Sequence, residues 1–182
     1  MSTSEPNFHF VCTIAEAREI VDGHDLYWVS NCECREERGS CKRSGIFLCL
    51  QFKEKTAATG TGLRPVSKDE VLKILKESEE THLVPRPFRD NDIKTVTEGI
   101  CFCCDCCCDF FTDDVPSPCD KGVYIERTDE ELCTHCGECE EFCFFKAREW
   151  DGEELTVVAD ECYGCGVCVD VCPEGAIDMV GR

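Results

Sequence analysis

The sequence predicts an α+β chain in two parts. Three observations carry that reading: two helix starts marked by capping boxes, short apolar runs of strand composition around them, and a C-terminal third that repeats itself at an interval of 29 residues. At 182 residues the length permits one or two domains. The composition changes near residue 121, which divides the chain into a cysteine-rich mixed helix and short-strand part over 1–121 and the repeat over 122–182.

Thr13-Ile14-Ala15-Glu16 reads as a capping box, with Ile14, Ala17, Ile20 and Val21 on one face and Gly23 as the stop. Leu26-Tyr27-Trp28-Val29 has strand composition and runs into Asn31-Cys32-Glu33-Cys34-Arg35, expected as an extended segment with both cysteines on one face. Cys41 follows, then Cys49 within the apolar run Ile46 to Leu50. Residues 56–65, rich in Gly and Thr, predict a loop. Ser67-Lys68-Asp69-Glu70 opens a second helix over Val71 to about Glu80, with Val71, Leu72 and Leu75 inward and Ile74 beside them. Leu83 to Pro87, with two prolines, is expected to end that helix and redirect the chain. Ile100 to Cys108 then holds six cysteines in eight positions, and a connection around Pro116-Ser117-Pro118 leads into the repeat.

The repeat carries the most specific chemistry. Cys133-x2-Cys136-x2-Cys139-x3-Cys143 is followed 29 residues later by Cys162-x2-Cys165-x2-Cys168-x3-Cys172-Pro173. Three cysteines at x2 spacing wrap three corners of a [4Fe–4S] cube, while the fourth in the run points away and ligates the other cluster. Cluster I is therefore expected on Cys133, Cys136, Cys139 and Cys172, and cluster II on Cys162, Cys165, Cys168 and Cys143. Gly137 and Gly166 occupy matching places inside the cysteine loops, where the backbone must turn sharply. Structural zinc favours separated C-x2-C pairs rather than this run. Disulfides need an oxidising compartment, and the opening residues MSTSEPNF have no secretory pattern, which predicts a reducing, anaerobic cytoplasm.

Over roughly residues 122–182 these motifs resemble the bacterial two-cluster ferredoxins. The resemblance implies a ferredoxin-like dicluster domain, each half a strand, a cluster loop, a one-turn helix and a second strand, with electron-carrier activity. One departure is Cys143-Phe144, where that family usually has Cys-Pro; Phe145 and Arg148 also replace less bulky or apolar choices. Phe144 is expected to cover cluster II or a neighbouring interface.

Ten further thiols, Cys32, Cys34, Cys41, Cys49, Cys101, Cys103, Cys104, Cys106, Cys107 and Cys108, are too dense for ordinary core filling. At least one additional iron–sulfur cluster is the first reading, structural zinc the alternative, and a catalytic dithiol a third. Adjacent cysteines point opposite ways in an extended chain, so Cys103 and Cys104, or Cys107 and Cys108, should not share one metal. This Cys-x-Cys-Arg segment, helix and Cys-x-Cys-Cys-x-Cys-Cys-Cys order resembles the cysteine-rich N-terminal part of anaerobic prokaryotic 4Fe–4S proteins; the resemblance implies architecture, not a reaction. Cys12 is expected as a small buried apolar residue and Cys119 as an unligated linker residue. Among the other candidates, His135 is expected to face solvent or hydrogen-bond cluster sulfur, and Arg35 to meet a thiolate or a surface Glu.

The net charge of −19 is uneven, with 4 basic and 16 acidic residues in 123–182 against 15 and 22 in 1–122. An acidic face around the clusters predicts a redox-enzyme partner with a basic docking patch, and low reduction potentials. It argues against nucleic acid, whose binding depends on Lys and Arg. No apolar stretch reaches the length of a membrane span. The sequence thus predicts an electron carrier rather than an enzyme, a multi-cluster, low-potential ferredoxin exchanging single electrons with an oxidoreductase. The alternatives are an electron-transfer or catalytic subunit of a larger redox enzyme, for example in disulfide reduction, and a cluster-based redox regulator with a winged-helix-like fold around 71–84.

Overall fold

A computed structural model describes residues 5–45, 48–113 and 118–182. Thr13 caps α1 (Ile14–Asp22) through the full reciprocal box with Glu16, and Gly23 closes it. Its inward residues Ala17 and Val21 meet the buried face of α3 (Lys68–Glu80), which Ser67 caps and which turns Val71, Ile74 and Leu75 inward. Leu72 is 44% exposed, so the expected inward position belongs to Ile74 instead: at 3.6 residues per turn Val71, Ile74 and Leu75 make one stripe that excludes 72.

Both helices cover one face of a seven-stranded sheet. Its strands are β1 (His9–Phe10), β2 (Tyr27–Asn31), β3 (Leu48–Gln51), β4 (Arg64–Val66), β5 (Val84–Arg89), β6 (Thr97–Cys103) and β7 (Cys119–Asp120), in the order β4-β2-β3-β6-β5-β1-β7. All pairings are antiparallel except β1 with β7. This sheet is larger than the short strands expected. Pro85 and Pro87 do not redirect the chain but lie inside β5, opposite Phe102 and Ile100. Their missing donors do no harm to the β5–β6 ladder: the Pro85 carbonyl accepts from Cys12 N, so the ring nitrogen faces the short β1 side. Pro65 lies in edge strand β4 and Cys119 in β7, both expected in loops. Ile46, Phe47, Pro116 and Ser117 lie outside the described residues. Helix α3 feeds straight into this sheet, which leaves no winged-helix arrangement around 71–84.

Residues 33–38 depart from expectation in another way. They form α2 (Glu33–Arg38), with Cys32 at its N-cap and Gly39 in the left-handed region at its end. Two acidic side chains in the first turn and a C-terminal glycine favour the helix. After β6 the chain makes a tight turn through Cys104–Cys107 and enters α4 (Asp109–Thr112).

The second part keeps the 29-residue interval in three dimensions. β8 (Tyr124–Thr128) pairs with β11 (Ile177–Gly181), and β9 (Arg148–Trp150) with β10 (Leu155–Val157). The one-turn helices α5 (Glu138–Glu141) and α6 (Val167–Asp170) lie one interval apart. The two parts share a core: Phe144 and Val167 are buried in the same cluster as Val71, Leu83 and Phe102. Phe144 stands edge-on to Phe111, and the Arg43 guanidinium lies 5.1 Å from its ring. The residue that replaces the usual proline therefore belongs to the joint between the parts.

Candidate iron–sulfur and metal centres

Each half of the repeat places its loop thiols with the same local device. Gly137 and Gly166 sit at φ of +80° and +81° just before α5 and α6, a conformation that costs other residues and lets the loop fold back on itself. A Cβ at Gly137 would also lie 2.7 Å from the Trp150 ring. Two cavities result. One is lined by Cys133, Cys136, Cys139 and Cys172, with Leu155 and Ile177. The other is lined by Cys162, Cys165, Cys168 and Cys143, with Phe145, Arg148 and Tyr163. Each cavity thus gathers three thiols from one half and one from the other.

A family model, the 4Fe–4S dicluster domain, matches residues 126–179. An uncharacterized ferredoxin of Methanocaldococcus jannaschii is 42% identical over 54 residues, 28% of this chain and 87% of that protein. This chain belongs to the 4Fe–4S dicluster ferredoxins. The ferredoxin of Methanothermococcus thermolithotrophicus is 44% identical over 45 residues, 24% of this chain and 75% of that protein. The indolepyruvate oxidoreductase subunit IorA of Pyrococcus horikoshii is 40% identical over 58 residues, 31% of this chain but 9% of that protein. Binding of iron–sulfur clusters of the 4Fe–4S type follows from this membership. No helix among the described residues is long and apolar enough to cross a membrane.

Within the ferredoxin segment a buried cation stands between the cavities. Arg148, 1% exposed, donates to Cys139 Sγ at 3.3 Å, to Thr128 at 3.0 Å and to Glu126 at 2.5 Å, and it lines the cavity of Cys143 as well. His135 is half-buried, and its hydrogen bonds go to the β9–β10 hairpin rather than to the loop sulfurs. Its Nδ1 accepts from Leu155 N at 3.0 Å and its carbonyl from Trp150, pinning the loop to the β9–β10 hairpin.

Strand parity organises the ten N-terminal thiols. Along β3 and β6, Leu50, Ile100 and Phe102 join the core, whereas Cys49, Cys101 and Cys103 take the opposite face. Cys49 Sγ lies 3.5 Å from Cys101 Sγ, and Arg86 of β5 stands opposite Cys101. On this face six thiols form an open chain in which Cys101 meets Cys49, Cys49 meets Cys32, Cys32 meets Cys34, Cys34 meets Cys108, and Cys108 meets Cys103. They line a cavity of about 830 Å³, open mouth included, whose wall Cys104 and Cys107 also reach, against about 320 and 350 Å³ for the two ferredoxin cavities. Hydrogen bonds from Cys34 and Cys49 lower the Cys32 thiol to about 4.

The remaining four, Cys41, Cys104, Cys106 and Cys107, gather on the other side of the same turn, with their sulfurs all within 4.8 Å of one another. The sulfurs of Cys104 and Cys107 thus join this group of four, while their chain neighbours Cys103 and Cys108 meet each other. Arg35 is not a surface residue: it is buried and donates to Cys104 Sγ at 3.4 Å and to the Phe102 carbonyl at 2.8 Å. Burial pushes the Cys41 thiol up, but backbone donors from Ser44 and Arg43 and the Arg35 charge outweigh it and hold it at about 6.

Two residues of the six-thiol cavity went unseen in the sequence. Arg86 is buried, donates to Cys108 Sγ at 3.3 Å and Cys103 Sγ at 3.7 Å, and stacks its guanidinium 4.3 Å from the Phe110 ring. His9 lines the cavity beside Cys101. Both reach the site through the register of β5 and β1, which no local motif encodes. Cys12 is buried in the core among apolar neighbours.

Proposed function

We propose that this chain is a multi-cluster carrier of single electrons, with one cubane in each ferredoxin cavity and a further iron–sulfur cluster in the six-thiol cavity. The pair of cavities that each draw three cysteines from one half and one from the other supports this reading most strongly. On it, cluster I takes Cys133, Cys136, Cys139 and Cys172, and cluster II takes Cys162, Cys165, Cys168 and Cys143. Bound cubes supply one-electron storage without bond breaking. The protein's part is to bury them, donate to their sulfurs and set the local charge. Arg148 favours the reduced state at cluster I, while the 16 acidic residues of 123–182 oppose added electrons and keep the potentials low.

The aromatic wall between cavities supports a wire. Phe110 lines the six-thiol cavity, and its ring centroid lies 6.0 Å from both Phe145 and Tyr163, which line the cluster II cavity and stack on each other at 4.3 Å. The order along the wire is cluster I, cluster II, N-terminal cluster. The acidic surface suits an oxidoreductase partner with a basic docking patch, in an anaerobic cytoplasm. Likeness to a segment of the IorA subunit also supports work beside such an enzyme. The roominess and open mouth of the six-thiol cavity favour a second reading, in which the chain is a subunit of a redox enzyme that reduces a small disulfide there. Iron and sulfide in the anaerobically purified full chain test the wire: Cys32→Ala with Cys34→Ala should remove about four irons or more and leave about eight. Unchanged iron would refute the N-terminal cluster, and disulfide reductase activity lost in the same variant would favour the second reading.

A further inference from the structure

We propose that Cys41, Cys104, Cys106 and Cys107 hold a single tetrahedral metal ion, distinct from every iron–sulfur cube in the protein. The sulfur geometry carries the inference. Cys41 lies 3.7 Å from Cys104 and 3.8 Å from Cys106, Cys104 lies 3.7 Å from Cys106, and Cys106 lies 3.5 Å from Cys107. Metal–sulfur bonds of about 2.3 Å in a tetrahedron set sulfur–sulfur edges of about 3.8 Å. A cube places its four thiolates on four separate irons, which spreads them to roughly 6 Å. A single close pair occurs among the six thiols too, Cys49 and Cys101 at 3.5 Å, but among the described residues it is these four that all lie within 4.8 Å of one another, a spacing for one ion and too close for a cube. The eight ferredoxin thiols give the internal contrast, because among the described residues they form no group so tight.

The chain builds this site economically. Cys104-Asp105-Cys106-Cys107 is one tight turn, closed by Cys108 N donating to the Cys104 carbonyl at 3.2 Å, and it brings three thiols to one point. Cys41 arrives two residues after the left-handed Gly39 that ends α2. Arg43 binds Asp105 through two contacts of 2.9 and 3.0 Å and so ties the two segments together beside the sulfurs. Four thiolates around a divalent ion carry an excess of two negative charges, and the buried Arg35 that donates to Cys104 Sγ offsets part of it. Cys104 and Cys107 line the six-thiol cavity themselves, as do their chain neighbours Cys103 and Cys108, so the ion fixes one wall of that cavity whatever the cavity contains.

Zinc and iron both take four thiolates in a tetrahedron. The test separates them and separates both from a cube. The full chain, purified anaerobically, is measured for zinc, iron and acid-labile sulfide, with X-ray absorption at both metal edges. One ion per chain is expected, either zinc with four sulfurs at about 2.3 Å and no metal–metal vector at the zinc edge, or one iron in excess of acid-labile sulfide beside the cluster iron. Cys107→Ser and Cys104→Ser should each release that one ion with no matching loss of sulfide, and Cys32→Ser should keep it. Cys107→His, which preserves a ligand, should retain the ion if the serine variant unfolds. Loss of about four irons with equal sulfide from Cys107→Ser would overturn the proposal, as would a wild-type chain holding neither zinc nor sulfide-free iron.

Discussion

Replacing Arg148 with Met should lower the reduction potential of cluster I through the lost donor to Cys139, and that of cluster II as well, since the guanidinium also lines the cluster II cavity. The guanidinium is buried, donates to Cys139 Sγ at 3.3 Å and is paired with Glu126, itself almost wholly buried. A hydrogen bond involving a charged group is worth about 1.5–3 kcal/mol. The reduced cube carries one more negative charge, so the bond strengthens on reduction. If about 1–2 kcal/mol of it is differential, the one-electron potential falls by about 40–90 mV, since a tenfold change is about 59 mV. The single substitution also strands the Glu126 carboxylate, at a cost of about 3–5 kcal/mol in stability. Arg148→Met with Glu126→Gln removes that second effect, so stability should largely return while a smaller downward shift, from the lost donor alone, persists. Redox titration followed by EPR reads the potentials, and chemical denaturation under anaerobic conditions reads the stability. A rise in the cluster I potential, or a shift confined to cluster II, would refute the reasoning.

Cys143→Ser should damage cluster II and Cys172→Ser cluster I, read by paramagnetic NMR; damage to the cube of the same half in each case would contradict the crossed sets. Phe144→Ala should cost about 3–5 kcal/mol, because a buried ring is lost from the joint between the parts, and hydrogen exchange should rise around Phe111 and Leu83 while iron content holds. Arg86→Met should lower N-terminal iron without touching the ferredoxin pair, since its guanidinium is the buried donor to Cys103 and Cys108; unchanged iron would argue that the six thiols bind no anionic cluster. The Arg43 hydrogen bonds hold the Asp105 carboxyl below its ordinary value. Its contribution to stability is therefore present above the unfolded value of about 3.9 and lost as pH falls through the lower folded one, and Asp105→Asn should flatten that acid-side loss in a denaturation series.

Elements with local causes were legible in the sequence. Thr13 and Glu16 announced α1, Ser67 announced α3, and the cysteine spacing with Gly137 and Gly166 announced the two cluster loops. What could not be read depended on distant chain. Pro85 and Pro87 sit in a strand only because their ring nitrogens face away from β6, and that side is set by a register invisible to local propensity. Cys34 went into a helix although its alternation with Cys32 resembles a strand, because Gly39 and the acidic first turn decided the segment. The ten thiols were visible as candidate metal ligands in number, and the opposite facing of neighbours could be anticipated from strand geometry. Their division into six and four could not, since it depends on where Cys41 and Cys49 meet the turn after β6.

The most direct measurement is EPR spin counting on the anaerobically isolated full chain, reduced stepwise and paired with sulfide analysis. Two magnetically coupled one-electron signals from the ferredoxin cavities, together about two spins per chain, are expected, with a further signal that vanishes in Cys32→Ala with Cys34→Ala. A chain without acid-labile sulfide, or with only isolated high-spin iron, would contradict the electron-carrier reading at its root.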